Sequence, residues 1–309
     1  MIVSVLILTH NEAINLPRCL TSLVWCDDII IVDSGSTDST IEIAESHQAK
    51  ILKRPFDNFA NQRNFGLDFG EPRHDWILHL DADEVVTPEF VELLAATVPI
   101  DGIDAYMVPS KTMFFDKWIK HAGMWPTYQA RLGHAQRLRF VQVGHGQRED
   151  LPPSRVGVFD EAYLHFSFSH GLRAWLIKHV RYAQDEANEV LAARSKNIAL
   201  SSPTINGFKE TKVGLRRHLK SASNRLPLFL RPFARFFYVY LLKQGFRDGF
   251  LGLFYSFMLS VYEGMIAVLA YEMILDQSKN FVIPDGLSSS ARIRRRSQLA
   301  NDKKQDNSL

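Results

Sequence analysis

Trp76-Ile77-Leu78-His79-Leu80-Asp81-Ala82-Asp83-Glu84 decides the fold: a short apolar run ends abruptly in two carboxylates two positions apart. An apolar run of this length, bounded by polar residues, reads as a buried strand. On an extended backbone, Asp81 and Asp83 would fall on one face. That spacing suits a hard divalent cation, Mg²⁺ or Mn²⁺, held against substrate phosphate oxygens.

Three similar runs precede it, Ile2 to Leu8, Ile29 to Asp33 and Lys50 to Lys53. Helical patterns lie between the runs. One follows Asn11 with Leu16, Leu20 and Leu23 on one face. A second is capped near Ser36 with Ile41 and Ala44 facing inward, and a third covers Asn58 to Phe69. Thr87 and Pro88 supply an N-cap and first-turn pair for a fourth. Such alternation predicts an α/β domain with a mostly parallel, Rossmann-like sheet covered by helices on both faces. Ligands bind such sheets beyond the carboxyl ends of their strands.

Asp33 ends one of those strands and enters the small-residue turn Ser34-Gly35-Ser36. Its carboxylate can accept from a base N–H or sugar hydroxyl. Gly35 permits close backbone approach, and the next helix offers its N-terminus to phosphate. Arg131 has the planar fork that suits an oxyanion or acceptor, and equally a surface salt bridge.

In order along the first ninety residues stand Ile7-Leu8-Thr9-His10-Asn11-Glu12, Ile31-Val32-Asp33-Ser34-Gly35-Ser36-Thr37-Asp38, Asn61-Gln62-Arg63-Asn64 and Leu80-Asp81-Ala82-Asp83-Glu84. As an ordered set they resemble the successive signatures of family 2 glycosyltransferases. The resemblance implies a GT-A fold, a nucleoside-diphosphate sugar donor, most often UDP-linked, inversion at the anomeric carbon, and Mg²⁺ or Mn²⁺. It places Thr9, Asn11 and Glu12 in the nucleotide pocket and Asp33 on the uracil. Arg63 would lie near the base or diphosphate, Asp81 near the ribose or sugar, and Asp83 on the metal.

Further on, Trp118-Ile119-Lys120-His121, Trp125-Pro126, Arg131-Leu132, Arg235-Phe236-Phe237 and Gly245-Phe246-Arg247-Asp248-Gly249 resemble the branch of lipopolysaccharide-core glucosyltransferases. That branch implies a hexose donor such as UDP-glucose and a lipid-linked saccharide acceptor, with Trp125, Arg131 and His145 on the acceptor side. Where the branch carries a Val-His-Glu signature, this chain has Val143-Gly144-His145-Gly146-Gln147-Arg148-Glu149-Asp150. An inverting transfer needs a base for the acceptor hydroxyl. Glu149 is the first candidate, followed by Asp150 and His145.

Composition bounds the rest. With 46% apolar residues, 23% charged residues and a net charge of +2, the chain is neither a disordered segment nor a general polyanion binder. From 207 to 247, however, ten Lys or Arg face a single acid, Glu210, amid aromatic residues. This pattern predicts a peripheral membrane surface, with Arg231, Arg235, Lys243 and Arg247 on headgroups and Phe233, Phe236, Phe237, Tyr240 and Leu241 in the acyl boundary. It points to lipid and away from nucleic acid. The uncharged run from Gly249 to Tyr262 is short for a span, and Glu263 and Glu272 would be costly inside one.

Two cysteines, Cys19 and Cys26, form no metal spacing, and the N-terminal apolar run is too short for a signal peptide. The cytoplasmic face of the inner membrane is the expected location. The expected organisation is a catalytic domain over 1–165, with a donor half over 1–100 and an acceptor half over 101–165. An amphipathic helix (166–200), a basic aromatic membrane-interface region (201–280) and a basic unstructured tail (281–309) follow. Within the helix, Trp175, Leu176, His179, Val180, Ala183, Ala187, Val190 and Leu191 would share a face.

Two enzymatic alternatives are a polyprenyl-phosphate glycosyltransferase and a nucleotidyltransferase. The second is disfavoured by the absence of a glycine-rich, lysine-bearing phosphate loop. An alternative of another class is a nucleotide-binding membrane scaffold without catalysis. The retained pair of Asp81 and Asp83 speaks against it.

Overall fold

The computed structural model describes residues 1–143, 146–195 and 226–281. His145, the polar stretch after Ser195, the first half of the basic run and the C-terminal tail lie outside them.

The first half of the domain follows the sequence pattern closely. Strands β1 (Ser4–Thr9), β2 (Ile29–Asp33), β3 (Lys50–Lys53) and β4 (Trp76–Asp81) alternate with helices α1 (Leu16–Thr21), α2 (Thr40–Ser46) and α3 (Phe59–Phe69). The four strands lie side by side in parallel, in the order β3-β2-β1-β4. Successive residues of β1 serve opposite faces, as the period of two requires. Val5 and Ile7 pack with Leu16, Leu20, Leu78 and Phe90, while Leu6 packs with Val32, Leu67 and Ile77 on the other side. The caps explain where two helices begin: Asn58 accepts from Asn61 N–H, and Thr87 from Phe90 N–H at the start of α4 (Pro88–Ala96). The second helix begins later than expected. Its N-cap is Ser39, and the Ser36 hydroxyl is drawn instead to Asp33.

Beyond β4 the sheet becomes mixed, with antiparallel pairings added to the parallel ones. β8 (Thr127–His134) runs antiparallel to β4, and β6 (Ala105–Phe114) antiparallel to β8. β12 (Tyr163–His165) is parallel to β6, and β5 (Glu84–Val85) is antiparallel to β12. β7 (Lys117–Trp118) and β11 (Val156–Val158) flank β6, whereas β9 (Phe140–Val143) and β10 (Gly146–Glu149) form a separate hairpin.

Helix α5 (Gly171–Ser195) then leads to a helical unit containing α6 (Arg231–Phe237) and α7 (Gly249–Phe281). Ala183, Ala187 and Val190 of α5 pack on Ile266, Ala267 and Ala270 of α7. Leu176 and Val180, expected on that inner face, are exposed, because the contact follows the small residues. Phe114, Ile119, Trp175 and Met258 join the unit to the sheet domain.

The stretch Gly245–Asp276 is, by length and composition, long and apolar enough to cross a membrane. The sequence alone argues against a span, from the short uncharged run and from Glu263 and Glu272. In the structure Glu263 lies 2.9 Å from Arg231, so its charge is met within the protein. That pair also corrects the expectation for Arg231, which is buried and directed inward rather than at headgroups. Phe233, Phe237 and Leu241 are exposed as expected, while Phe236 and Tyr240 stack on one another.

Candidate active site

The sheet register brings the chemistry together. Thr9 pairs with Asp33, and Leu8 with Asp81, so three neighbouring parallel strands deliver Thr9, Asp33 and Asp81 to one carboxyl edge. This is the position that the open-sheet rule assigns to ligands.

At β2, Asp33 is buried and fully engaged. One carboxylate oxygen accepts from Gly35 N–H (2.9 Å) and Ser36 N–H (2.8 Å), the other from Thr9 Oγ1 (2.8 Å) and Ser36 Oγ (2.5 Å). Burial opposes the charge, but these donors hold the carboxyl below its ordinary range. A base could reach Asp33 only by displacing one of these four donors. Gly35 has φ +90°, a region that favours glycine. Asn11 is also left-handed, with φ 55°. Its Oδ1 accepts from Thr37 N–H at 2.7 Å and its own N–H donates to Ser36 Oγ at 2.8 Å, closing one loop on the other.

The carboxylates after β4 separate into two environments. Instead of continuing as a strand, the chain turns at Ala82 and Asp83 before β5, so Asp81 and Asp83 do not share an extended face. Asp81 is clamped by two arginines: Arg63 Nη2 and Arg131 Nη2 each lie 2.7 Å from one of its oxygens. Burial pushes its pKa upward, and the guanidiniums of Arg131 and Arg63 overcome that push and hold it well below the usual carboxylate range.

Arg131 is fully buried and also donates to buried Glu84 and to Tyr163 Oη, which excludes the surface-salt-bridge reading. Its placement follows from an irregular register. Leu132 pairs with Tyr106 and Ala130 with Met107, leaving Arg131 as the extra residue of a β-bulge. Bulges re-aim side chains in this way. His79 is buried beneath, edge-on to Phe140, and burial together with Arg63 and Arg131 keeps it neutral.

Asp83 faces a different partner, His165 of β12, at 3.4 Å. Against desolvation, Asp83 lifts the His165 imidazolium to about 9. A cation could replace that proton, meeting one carboxylate oxygen and one imidazole nitrogen, a donor set suited to Mn²⁺. Among the described residues no group of three or more His, Cys, Asp or Glu is gathered for a metal, so the remaining ligands would come from substrate and water. Asp81, with both oxygens committed to arginines, is poorly placed to add one.

Five residues later, His170 lies 3.1 Å from Glu12 Oε2, so one short segment ties Asp83 to the Asn11–Glu12 loop. Desolvation raises the Glu12 pKa, opposed by Asn15 and His170. Lys178 on α5 lies close enough for Tyr182, Asp83 and Asp81 to raise its pKa against desolvation.

Sequence reasoning missed His165, His170, Glu84 and Lys178. The alternation of Tyr163 and His165 on one face was the available signal, but β12 has three residues and shows no pattern of its own.

The other expected residues are dispersed. Glu149 is half-buried in β10 opposite Phe140, and Asp150 is exposed beyond it, its N–H donating to Arg139 O. Trp125 lines a cavity between β8 and the helical unit. The structure gives neither Glu149 nor Trp125 a contact with the Asp81–Asp83 cluster.

Part of the chain is similar to known proteins. Residues 4–145 match the model of glycosyl transferase family 2. An uncharacterized glycosyltransferase of Rickettsia bellii is 36% identical over 110 residues, covering 34% of this chain and 37% of that protein. The lipopolysaccharide core biosynthesis glycosyltransferase LpsC of Rhizobium meliloti is 34% identical over 96 residues, covering 29% of this chain and 35% of LpsC. The chain thus spans little more than a third of the length of these curated relatives. Among solved structures, S. aureus TarS 1–349 in complex with UDP is 15% identical, covering 89% of this chain and 92% of that one with a TM-score of 0.41. Glucosyl-3-phosphoglycerate synthase from Mycobacterium tuberculosis, with Mn²⁺, UDP and glucosyl-3-phosphoglycerate, is 16% identical, covering 61% and 78% with a TM-score of 0.42. The similarity to glycosyl transferase family 2 is thus carried by residues 4–145.

Proposed function

We propose that the protein is an inverting glycosyltransferase that moves a hexose from a UDP-hexose, with UDP-glucose the first donor to test, to a lipid-linked saccharide of the cell envelope. The observation that carries this reading is the convergence of Thr9, Asp33, Asp81 and Asp83 at one carboxyl edge, with His165 beside Asp83. The similarity to LpsC, named for lipopolysaccharide core biosynthesis, supports the acceptor class.

In this reading residues 1–165 are catalytic. The Thr9–Glu12 loop, Asp33 and Gly35 form the nucleotide pocket, and Asp81 faces the ribose or sugar. Arg63 and Arg131 act through Asp81, fixing a carboxylate that would otherwise swing, because their guanidiniums are buried against it. Asp83 and His165 hold Mg²⁺ or Mn²⁺, which supplies charge neutralisation for the departing diphosphate. Lys178 adds a cation on the same side. Glu149, with Asp150 behind it, takes the proton of the acceptor hydroxyl as the sugar carbon is attacked in line. Exposed Phe233, Phe237, Leu241 and Leu242 rest in the interface of the cytoplasmic leaflet, with Arg235, Lys243 and Arg247 at the headgroups.

Calorimetric titration with UDP, with and without Mn²⁺, tests the donor half. Metal-dependent binding that disappears in Asp83→Ala is expected; UDP binding that ignores both metal and substitution would overturn it. For the base, Glu149→Gln should abolish transfer while leaving UDP binding intact, and unchanged turnover would remove Glu149 from the role.

A further inference from the structure

Apart from the donor cluster, the structure holds a cavity of about 440 Å³ at the junction between the sheet domain and the helical unit. Its walls include Lys120, His121, Trp125 and Tyr128 from the β7–β8 connection and β8, Asp160 from the approach to β12, and Lys243 from the link between α6 and α7. Two lysines and an imidazole face a single carboxylate, so the cavity favours an anion.

Its parts are fixed in place. Asp248 accepts from the backbone N–H groups of His121 (2.8 Å) and Ala122 (2.7 Å), clamping the helical unit onto this wall. Trp125 N–H donates to Lys120 O at 3.1 Å, and the Trp125 ring packs edge-on to Trp118 at 5.4 Å. The ammonium groups of Lys111 and Lys120 stand 5.3 and 5.4 Å from the Trp118 ring centre. Aromatic faces thus gather the positive charge.

What surrounds Lys243 identifies the ligand class. Leu242 is 76% exposed, and Leu241 and Phe246 are half exposed. A cationic cavity that opens beside bare apolar side chains matches an amphiphile whose anionic group adjoins a hydrocarbon chain. Direction along the sheet agrees. Tyr128 lies three residues before Arg131 on β8, roughly 10 Å at the rise of an extended strand. A short saccharide could bridge that span towards the donor carboxylates.

We propose that this cavity binds the phosphate or diphosphate joining the acceptor saccharide to its lipid, with Lys120 and Lys243 on the phosphate oxygens and the hydrocarbon leaving over Leu242 and Phe246. This rests on the reading above that the acceptor is lipid-linked.

The test compares the full chain with the Lys120→Gln, Lys243→Gln double variant on phosphatidylcholine vesicles. One set is doped with a long-chain alkyl diphosphate, another with phosphatidylglycerol to the same surface charge; free inorganic pyrophosphate is a third arm. Sedimentation and tryptophan fluorescence report binding, and UDP titration and thermal melting are run in parallel. The wild-type chain should prefer diphosphate vesicles over phosphatidylglycerol vesicles by about tenfold or more, and the double variant should lose that preference with melting and UDP binding unchanged. Equal binding to both vesicle types, a preference that survives in the variant, or pyrophosphate binding as tightly as the lipid would each overturn the proposal. Failure of UDP to bind the wild-type chain would instead strike the glycosyltransferase reading, so the two failures are distinguishable.

Discussion

Arg131 reaches Asp81 at 2.7 Å from a β-bulge inside the sheet, and the same nitrogen serves Glu84. Breaking a buried charge cluster by removing one member leaves the others uncompensated, a cost of about 3–5 kcal/mol. Arg131→Met is therefore expected to lower unfolding free energy by about that much in urea and to weaken UDP binding, because Asp81 loses half its clamp. Arg131→Lys should recover only part of the loss, since one ammonium cannot reproduce the planar fork. A Met variant as stable as wild type would show that the cluster does not hold this edge together.

Asp33 is committed to four donors within its own turn. In Asp33→Asn one oxygen is replaced by a donor that faces other donors. The variant should lose about 1–3 kcal/mol of stability and bind UDP more weakly. Calorimetry and urea unfolding measure both. Normal UDP affinity would place the base elsewhere.

His165 offers a test of the cation site that does not depend on turnover. His165→Gln removes the imidazole beside Asp83 and should weaken Mn²⁺ binding by at least about tenfold, measured by titrating Mn²⁺ into UDP-loaded protein. Mn²⁺ affinity equal to wild type would exclude His165 as a ligand.

Asp104 should govern acid stability. It is buried, with Arg137 Nε at 2.5 Å and Arg155 as its second partner. Desolvation raises its pKa, but the hydrogen bonds from Arg155 and Arg137 prevail and lower it. A carboxyl whose pKa is depressed by folding stabilises fully above its unfolded value, near 3.8, and that stability is lost as pH falls through the lower folded value. Asp104→Asn should therefore lower stability at neutral pH and flatten its decline below about pH 4. A decline as steep as in wild type would point to other carboxylates.

The donor half was legible because local pattern and tertiary placement coincide there. Ile29 to Asp33 and Trp76 to Asp81 became strands at the limits read from their apolar runs, and Asn58 and Thr87 capped the helices that follow them. The inward placement of Arg131 was not legible, because a β-bulge is set by the register of two strands, which no local pattern reveals. His165 was missed for a similar reason: its meaning comes from Asp83, 82 positions earlier. Arg231 resembled a surface cation until α7 brought Glu263 against it.

Gly252 tests whether the helical unit is separable from donor binding. A Cβ at this position would meet the backbone oxygen of Gly245 at 1.9 Å and Asp248 Cβ at 2.9 Å, with no flexible side-chain end to move aside. Gly252→Ala must push the first turn of α7 away from the segment that carries Lys243 and Asp248. Overpacking of this kind costs about 1–3 kcal/mol. It also strains the hydrogen bonds that Asp248 accepts from the backbone N–H groups of His121 and Ala122. The strands that deliver Asp33 and Asp83 lie in a core with β1 and β4 at its centre, which takes in Tyr106, Leu132 and Tyr163 but no residue of α6 or α7. The variant should therefore be cleaved by protease between 226 and 250 and bind vesicles poorly, yet retain Mn²⁺-dependent UDP binding. Loss of UDP binding along with the helical unit would show that the donor pocket depends on the C-terminal helices; resistance to protease with normal vesicle binding would show that the helix shifts without undocking.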